Sequence, residues 1–145
     1  MSQASTLIDV LRARFEYELE SPPFHSFLRP RSLGIDIENQ AVSILVPFRT
    51  DFKYRSQQPG IHGGVISAVI DLSAYAVGAV FSGCVCPTVS LNVGFLNAAP
   101  DADLISVARI SKLGRQLCWA QIDVSSGDST VATAKAILLI QKSIQ

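Results

Sequence analysis

The chain has 145 residues, with 12 basic and 12 acidic side chains and a formal net charge of zero. Apolar residues make up 48% and charged residues 17%, which excludes a disordered chain and allows one domain with a sizeable core. A pI of about 6.7, with no Lys/Arg cluster interleaved with aromatics, argues against a nucleic-acid partner.

Residues 5–20 carry Leu7, Val10, Leu11, Arg14, Phe15 and Glu18 at helical spacing among charged neighbours, which predicts an amphipathic first helix. Acidic residues interrupt this segment and it has no apolar h-region, so it does not read as a signal peptide. Ser21-Pro22-Pro23 stops it, and residues 24–31 follow as a loop or short helix. Residues 1–30 thus form a helical extension ahead of the remaining chain. Residues 32–48 read as a hairpin, with Leu33, Ile35 and Ile37 alternating with polar residues and a turn at Glu38-Asn39-Gln40. A polar loop, RTDFKYRSQQPGI, leads to an apolar segment from His62 to about Ser82, long enough for five turns of helix and stopped by Gly83. Because it is apolar on nearly all sides, it should be buried on nearly all sides.

Four strand signals follow with no further helix: VCPTVSLNVGFLNAA, ADLISVARISK, RQLCWAQIDVSS and STVATAKAILLIQ. Turns at residues 112–115 and 126–129 separate the last three. An α+β architecture satisfies this order: an antiparallel sheet of about six strands wrapped round one long helix, with an extra N-terminal helix, in a single domain spanning 1–145. The mean hydropathy of +0.32 adds an expectation of apolar surface buried between subunits. Residues 63–82 are apolar enough to raise a membrane span, but Asp71 would lie mid-span and no Lys/Arg anchors stand near the ends, so no membrane partner is expected. Cys84, Cys86 and Cys118 are an odd number, which fits a reduced, cytoplasmic chain. Core packing is the simpler role for Cys84 and Cys86 than a redox or metal pair.

Between Ser56 and Pro100 Asp71 is the only formally charged residue. An unpaired buried carboxylate is costly. Asp71 is therefore solvated on an outward helix face, paired with a distant cation, or a functional acid lining a cavity, and the apolar surroundings favour the last. HGG at residues 62–64 opens the same helix. Either it is a tight turn with His62 as cap, or the glycines let the backbone approach a ligand, with unsatisfied first-turn amides at the positive dipole end facing a carbonyl oxygen. Nine residues of helix rise roughly 13 Å. A reacting carbonyl must lie within about 3 Å of both its oxyanion donors and the attacking group. If both ends are catalytic, they come from different chains, with two antiparallel helices side by side across a two-fold axis.

HGGVISAVID followed by PTVSLNVGFLNAAP resembles the hotdog-fold thioesterase superfamily, and within it the PaaI-like acyl-CoA thioesterases, over roughly residues 31–141. The resemblance implies a long helix wrapped by a curved antiparallel sheet, active sites at a homodimer interface, and dimers that pair into tetramers. It implies hydrolysis of acyl-CoA to free acid and CoA, with no metal or organic cofactor. It places Asp71 as general base or nucleophile, Gly63 as backbone oxyanion donor with Gly64 beside it, His62 orienting the thioester carbonyl, and Ser90 holding the attacking water. Relatives often carry an asparagine six or seven residues before the histidine. Here those positions are Ser56 and Arg55, with Gln57 and Gln58 close by, and Ser56 or a glutamine takes over that contact. CoA phosphates need cations, for which Lys112 and Arg115 in a turn are candidates, as are Arg109, Lys135, Lys53 and Arg55. Phe81, Phe95, Trp119 and Tyr75 either line an acyl pocket or belong to the core.

Other readings fail on the residues. There is no G-x-S-x-G elbow for a serine hydrolase, no G-K-[ST] after the glycines for a P-loop, and no ligand pair beside the two distant histidines for zinc. His25 is expected at the surface. The thirty residues before the sheet cannot hold a helix-turn-helix domain. The alternatives within the same fold are a non-catalytic acyl-CoA binding or regulatory module and an acyl-thioester hydratase.

Overall fold

The computed structural model describes residues 3–142. Helix α1 (Gln3–Glu20) and the short α2 (Pro23–Leu28) precede the hairpin β1 (Arg31–Asp36) and β2 (Ala41–Val46). A 3-10 turn at Thr50–Phe52 leads into a two-stranded ribbon, β3 (Lys53–Arg55) and β4 (Gln58–Ile61). The long helix α3 (Gly63–Ser82) is followed by β5 (Thr88–Phe95), β6 (Leu104–Leu113), β7 (Leu117–Ser126) and β8 (Ser129–Leu139). Six strands form one antiparallel sheet in the order β1-β2-β6-β7-β8-β5. The expected α+β arrangement of a six-stranded sheet, a central helix and an N-terminal helix is what the chain adopts.

α3 owes its place to its composition. Ile66, Val69, Ile70, Leu72, Ala76, Val77 and Val80 are buried with Ile44, Ile122, Val124, Ala134 and Leu138 of the sheet in one core cluster. At Gly78 the helix lies close against the sheet, since a Cβ there would lie 2.7 Å from Leu138 Cδ1. By length and composition α3 could cross a membrane, but 61% of its apolar window is buried inside the protein. It is a core helix with one bare stripe. Cys86 and Cys118 are packed in the same core, where burial raises both thiols above their usual range, Cys118 to about 11.

The structure differs from the sequence expectation in three places. In α1 the buried stripe is Leu11, Phe15 and Leu19, whereas Leu7 and Val10 are each 49% exposed; the docking surface on α3 ends before the first turns of α1. The polar loop before α3 contains the β3–β4 ribbon, stapled from outside. Asp101 accepts from the Gly60 amide at 2.8 Å and from Lys53 Nζ at 2.8 Å, and the Ile61 amide donates to the Ala99 carbonyl. His25 is half-buried rather than at the surface. Its Nδ1 lies 2.7 Å from the Glu18 carbonyl and its ring meets Tyr75 edge-on, because α2 folds back over the α1–α3 contact.

Candidate active site

The start of α3 is pinned from two directions. The His62 amide donates to the Phe52 carbonyl at 2.8 Å, and Phe52 is buried under the Arg49 guanidinium, which also covers Phe27 of α2. His62 is the N-cap residue, in extended geometry, and its Nδ1 accepts the Gly64 amide at 2.8 Å. Nδ1 must then be unprotonated, so the neutral ring carries its proton on Nε2. A Cβ on Gly64 would lie 2.9 Å from that Nδ1, so the second glycine is what admits the cap. The cap uses the Gly64 amide and leaves the Gly63 amide, which has no partner among the described residues. An orphan first-turn N–H at the positive end of a 20-residue helix favours a partial negative charge. Beside it lies an apolar groove of about 350 Å³ bordered by Ile61, Ile66, Phe95 and Leu96, with the Phe95 ring 3.4 Å from where a Gly63 Cβ would stand.

Asp71 sits on the bare stripe of α3 and is exposed in the single chain, not enclosed in an intrachain cavity. Among the described residues it has one partner: Thr88 Oγ1, at the start of β5, donates to Asp71 Oδ1 at 2.5 Å. A short hydrogen bond from a hydroxyl fixes the carboxylate rotamer and leaves its other oxygen free. Tyr75, one turn further along the stripe, donates its hydroxyl to Glu18 Oε2 at 2.7 Å. Burial and the Glu18 carboxylate both raise the Tyr75 phenol well above its usual range, so it stays protonated and holds α1 against α3.

Ser90, expected to hold the attacking water, lies two residues after Thr88, the hydroxyl that meets Asp71. A register irregularity between Thr88 and Ser90 reverses the alternation. Thr88 pairs with buried Leu138, on the helix side of the sheet, whereas Ser90 pairs with Ile137 in the row that continues to Trp119 and Lys112 on the outer face. Ser56 and Gln57 form the exposed tip of the β3–β4 ribbon and make no hydrogen bond with Asp71 or His62. Lys112 and Arg115 are brought together with Trp119 and Lys142 around a cavity of about 820 Å³. The other cations are spread out: Lys53 is paired with Asp101, Arg55 lies over Tyr54, and Arg109 and Lys135 stand exposed on separate strands.

A six-stranded antiparallel sheet packed against one long central helix is the hotdog class of fold. Solved structures confirm it at low sequence identity. The PaaI protein from the phenylacetic acid degradation operon of E. coli superposes with a TM-score of 0.82 over 94% of this chain and 96% of that one, at 14% identity. A thioesterase family protein from Silicibacter pomeroyi gives 0.79 over 90% and 99%, at 20% identity. A phenylacetic acid degradation-related protein from Ralstonia eutropha gives 0.77 over 88% and 99%, at 23% identity. No curated protein matches the chain. The model of the thioesterase superfamily matches residues 59–133, more than half of the chain, and the protein belongs to that superfamily.

Proposed function

We propose that the protein is an acyl-CoA thioesterase that works as a homodimer, with dimers able to pair. In each site Asp71 of one subunit faces Gly63 of the partner subunit. The observation that carries this reading is the geometry of α3. The unpartnered Gly63 amide and the Thr88-anchored Asp71 lie on one continuous helix, and the eight residue steps from one to the other correspond to about 12 Å of rise, too far to act on one carbonyl. A second copy with its helix antiparallel brings the two groups together twice. β5 supports the pairing, because it is an eight-residue edge strand whose Val89 and Phe95 are 62% and 55% exposed. An unprotected apolar edge of that length is a template for another strand.

The reaction follows from the groups present. The thioester carbonyl oxygen accepts from the Gly63 amide of the partner subunit, and that donor strengthens as the oxygen becomes negative. Asp71, held by Thr88, takes a proton from a water as the water oxygen bonds to the carbonyl carbon. The tetrahedral oxyanion collapses, the C–S bond breaks, and CoA leaves as a thiolate. If Asp71 attacks directly, the same collapse gives a mixed anhydride that water then opens. His62 keeps the helix start in register with the carbonyl through its cap on Gly64. The three free thiols support a reducing, cytoplasmic setting.

A panel of acyl-CoAs with a thiol reagent tests the reading. Wild type should release CoA, and Asp71→Asn should lower kcat by about 10²–10⁴. Acyl-CoA binding with no thiol release by wild type would instead identify a non-catalytic binding module.

A further inference from the structure

Helix α1 carries more apolar surface than its own subunit covers. Leu11, Phe15 and Leu19 are buried in the core, and Asp9, Arg12 and Glu16 form a solvated face. A third face holds Val10 and Tyr17, seven residues apart, with Tyr17 65% exposed and Glu20 one turn beyond it. This face borders the bare stripe of α3. Tyr75, one turn past Asp71, donates to Glu18 Oε2 at 2.7 Å. Burial, Glu18 and, more weakly, Tyr17 raise the Tyr75 phenol, so Tyr17 stands on the Tyr75 side of α1. The surface that carries Asp71 therefore runs on to Tyr17 and Glu20. It lacks a cation. The last turn of α1 has no basic residue, although basic side chains are what the negative end of a helix favours. Glu20 has no ion-pair partner among the described residues.

The ribbon that leads into α3 has the missing charge. Tyr54 is 58% exposed, and its ring centroid lies 6.4 Å from that of His62. The Arg55 guanidinium lies over the other ring at hand, 5.2 Å from the Tyr54 centroid, and it has no acidic partner among the described residues. In the antiparallel dimer, Gly63 of the partner subunit stands at Asp71. One residue earlier in the partner's chain is one step further toward the C-terminus of this α3, which is the direction of Tyr75. His62 of the partner subunit, with Tyr54 of the partner subunit beside it, therefore falls next to Tyr75 and the face of α1 that borders it. We propose that Tyr17 and Glu20 dock the Tyr54–Arg55 pair of the partner subunit, once in each direction across the two-fold axis. The inference rests on the two-chain site of the thioesterase reading and names the surface that closes its Tyr75 side. Charge complementarity carries it: an acid and an arginine, each unpaired in the single chain, meet beside two exposed tyrosines. Tyr and Arg are residue types that interfaces concentrate, and opposed charges at the rim fix the register of the two chains.

Charge reversal combined with subunit mixing tests the contact. Glu20 and Arg55 are exposed in the single chain, so Glu20→Arg and Arg55→Glu should keep the wild-type circular dichroism. Each variant alone faces like charges at both contacts of its dimer, and its dimer dissociation constant, read by analytical ultracentrifugation, should rise about ten- to hundredfold. High salt should shrink that rise. Mixed in equal amounts, the two variants form a heterodimer in which one contact is native and the other has its charges exchanged, and association should return to within about threefold of wild type. A contact made within one chain would recover only in the double variant Glu20→Arg/Arg55→Glu and never on mixing. No rise in the single variants, or no recovery on mixing, overturns the proposal, while release of CoA that depends on Asp71 leaves the thioesterase reading standing. A wild-type protein that stays monomeric removes the two-chain site, and this contact with it.

Discussion

The two ends of α3 are finished in opposite ways. At the C-terminus the orphan carbonyls are covered: Gly83, at φ 73°, turns its amide back to the Ala79 carbonyl at 2.9 Å, and Arg14 Nη1 reaches the Val80 carbonyl at 2.8 Å from α1. At the N-terminus His62 satisfies the Gly64 amide, and the Gly63 amide is left open above an apolar groove. A helix whose closing end is sealed from two directions is not loosely finished by default. In the proposed function the open amide is where negative charge develops, and the difference between the ends is what supports that role.

Gly63→Pro breaks the comparison most sharply. Proline at the first helical position fits the helix and lacks only the N–H, the preceding His62 already has the extended geometry that proline demands, and a Cβ at Gly63 meets nothing nearer than 3.4 Å. Folding should be retained and kcat should fall by about 10²–10³, the range for losing one oxyanion donor, as read from steady-state kinetics beside a thermal melt. Smaller, and directed at the acid, is Thr88→Val, which should lower kcat/KM about tenfold by freeing the carboxylate. Ser90→Ala on the outer face should leave it unchanged. Equal losses in the two variants would show that the outer row also serves the reaction.

The smallest expected effect concerns the ribbon that supports the helix start. The Asp101 carboxyl is held below its usual range, first by the Gly60 amide and then by Lys53. A depressed folded-state value stabilises the fold above the ordinary carboxylate range and stops doing so as pH falls through the folded-state value. Asp101→Asn should therefore melt below wild type at pH 7, and the gap should close as the pH falls below about 4. A gap that persisted in acid would mean that the ribbon is held by other contacts.

Much of this was readable before the fold was known, for physical reasons that differ by element. The central helix and the proposed site on it were legible because a lone Asp71 in an apolar run and a glycine pair that begins eight residues earlier constrain each other through helix rise alone. Thr88 was not legible. Strict alternation puts Thr88 and Ser90 on one face, and only the irregularity between them, visible as a register shift against β8, separates the two. The β3–β4 ribbon was hidden because its staples, Asp101 and Ala99, lie some forty residues further on. Lys112 and Arg115 were recognisable as a pair. That Trp119 and Lys142 complete their cavity depends on β7 and β8 lying side by side.

The central claim is that each site draws its acid and its amide from different chains, and subunit mixing tests it most directly. Asp71→Asn and Gly63→Pro proteins, each nearly inactive alone, are unfolded together, refolded and assayed. In a mixed dimer the Asp71→Asn chain supplies an intact Gly63 and the Gly63→Pro chain supplies an intact Asp71, so one of two sites is whole. About half of the wild-type rate per mixed dimer is the predicted result. Mixed dimers that form and stay as inactive as their parents would show that both groups act within one chain, and would contradict the account.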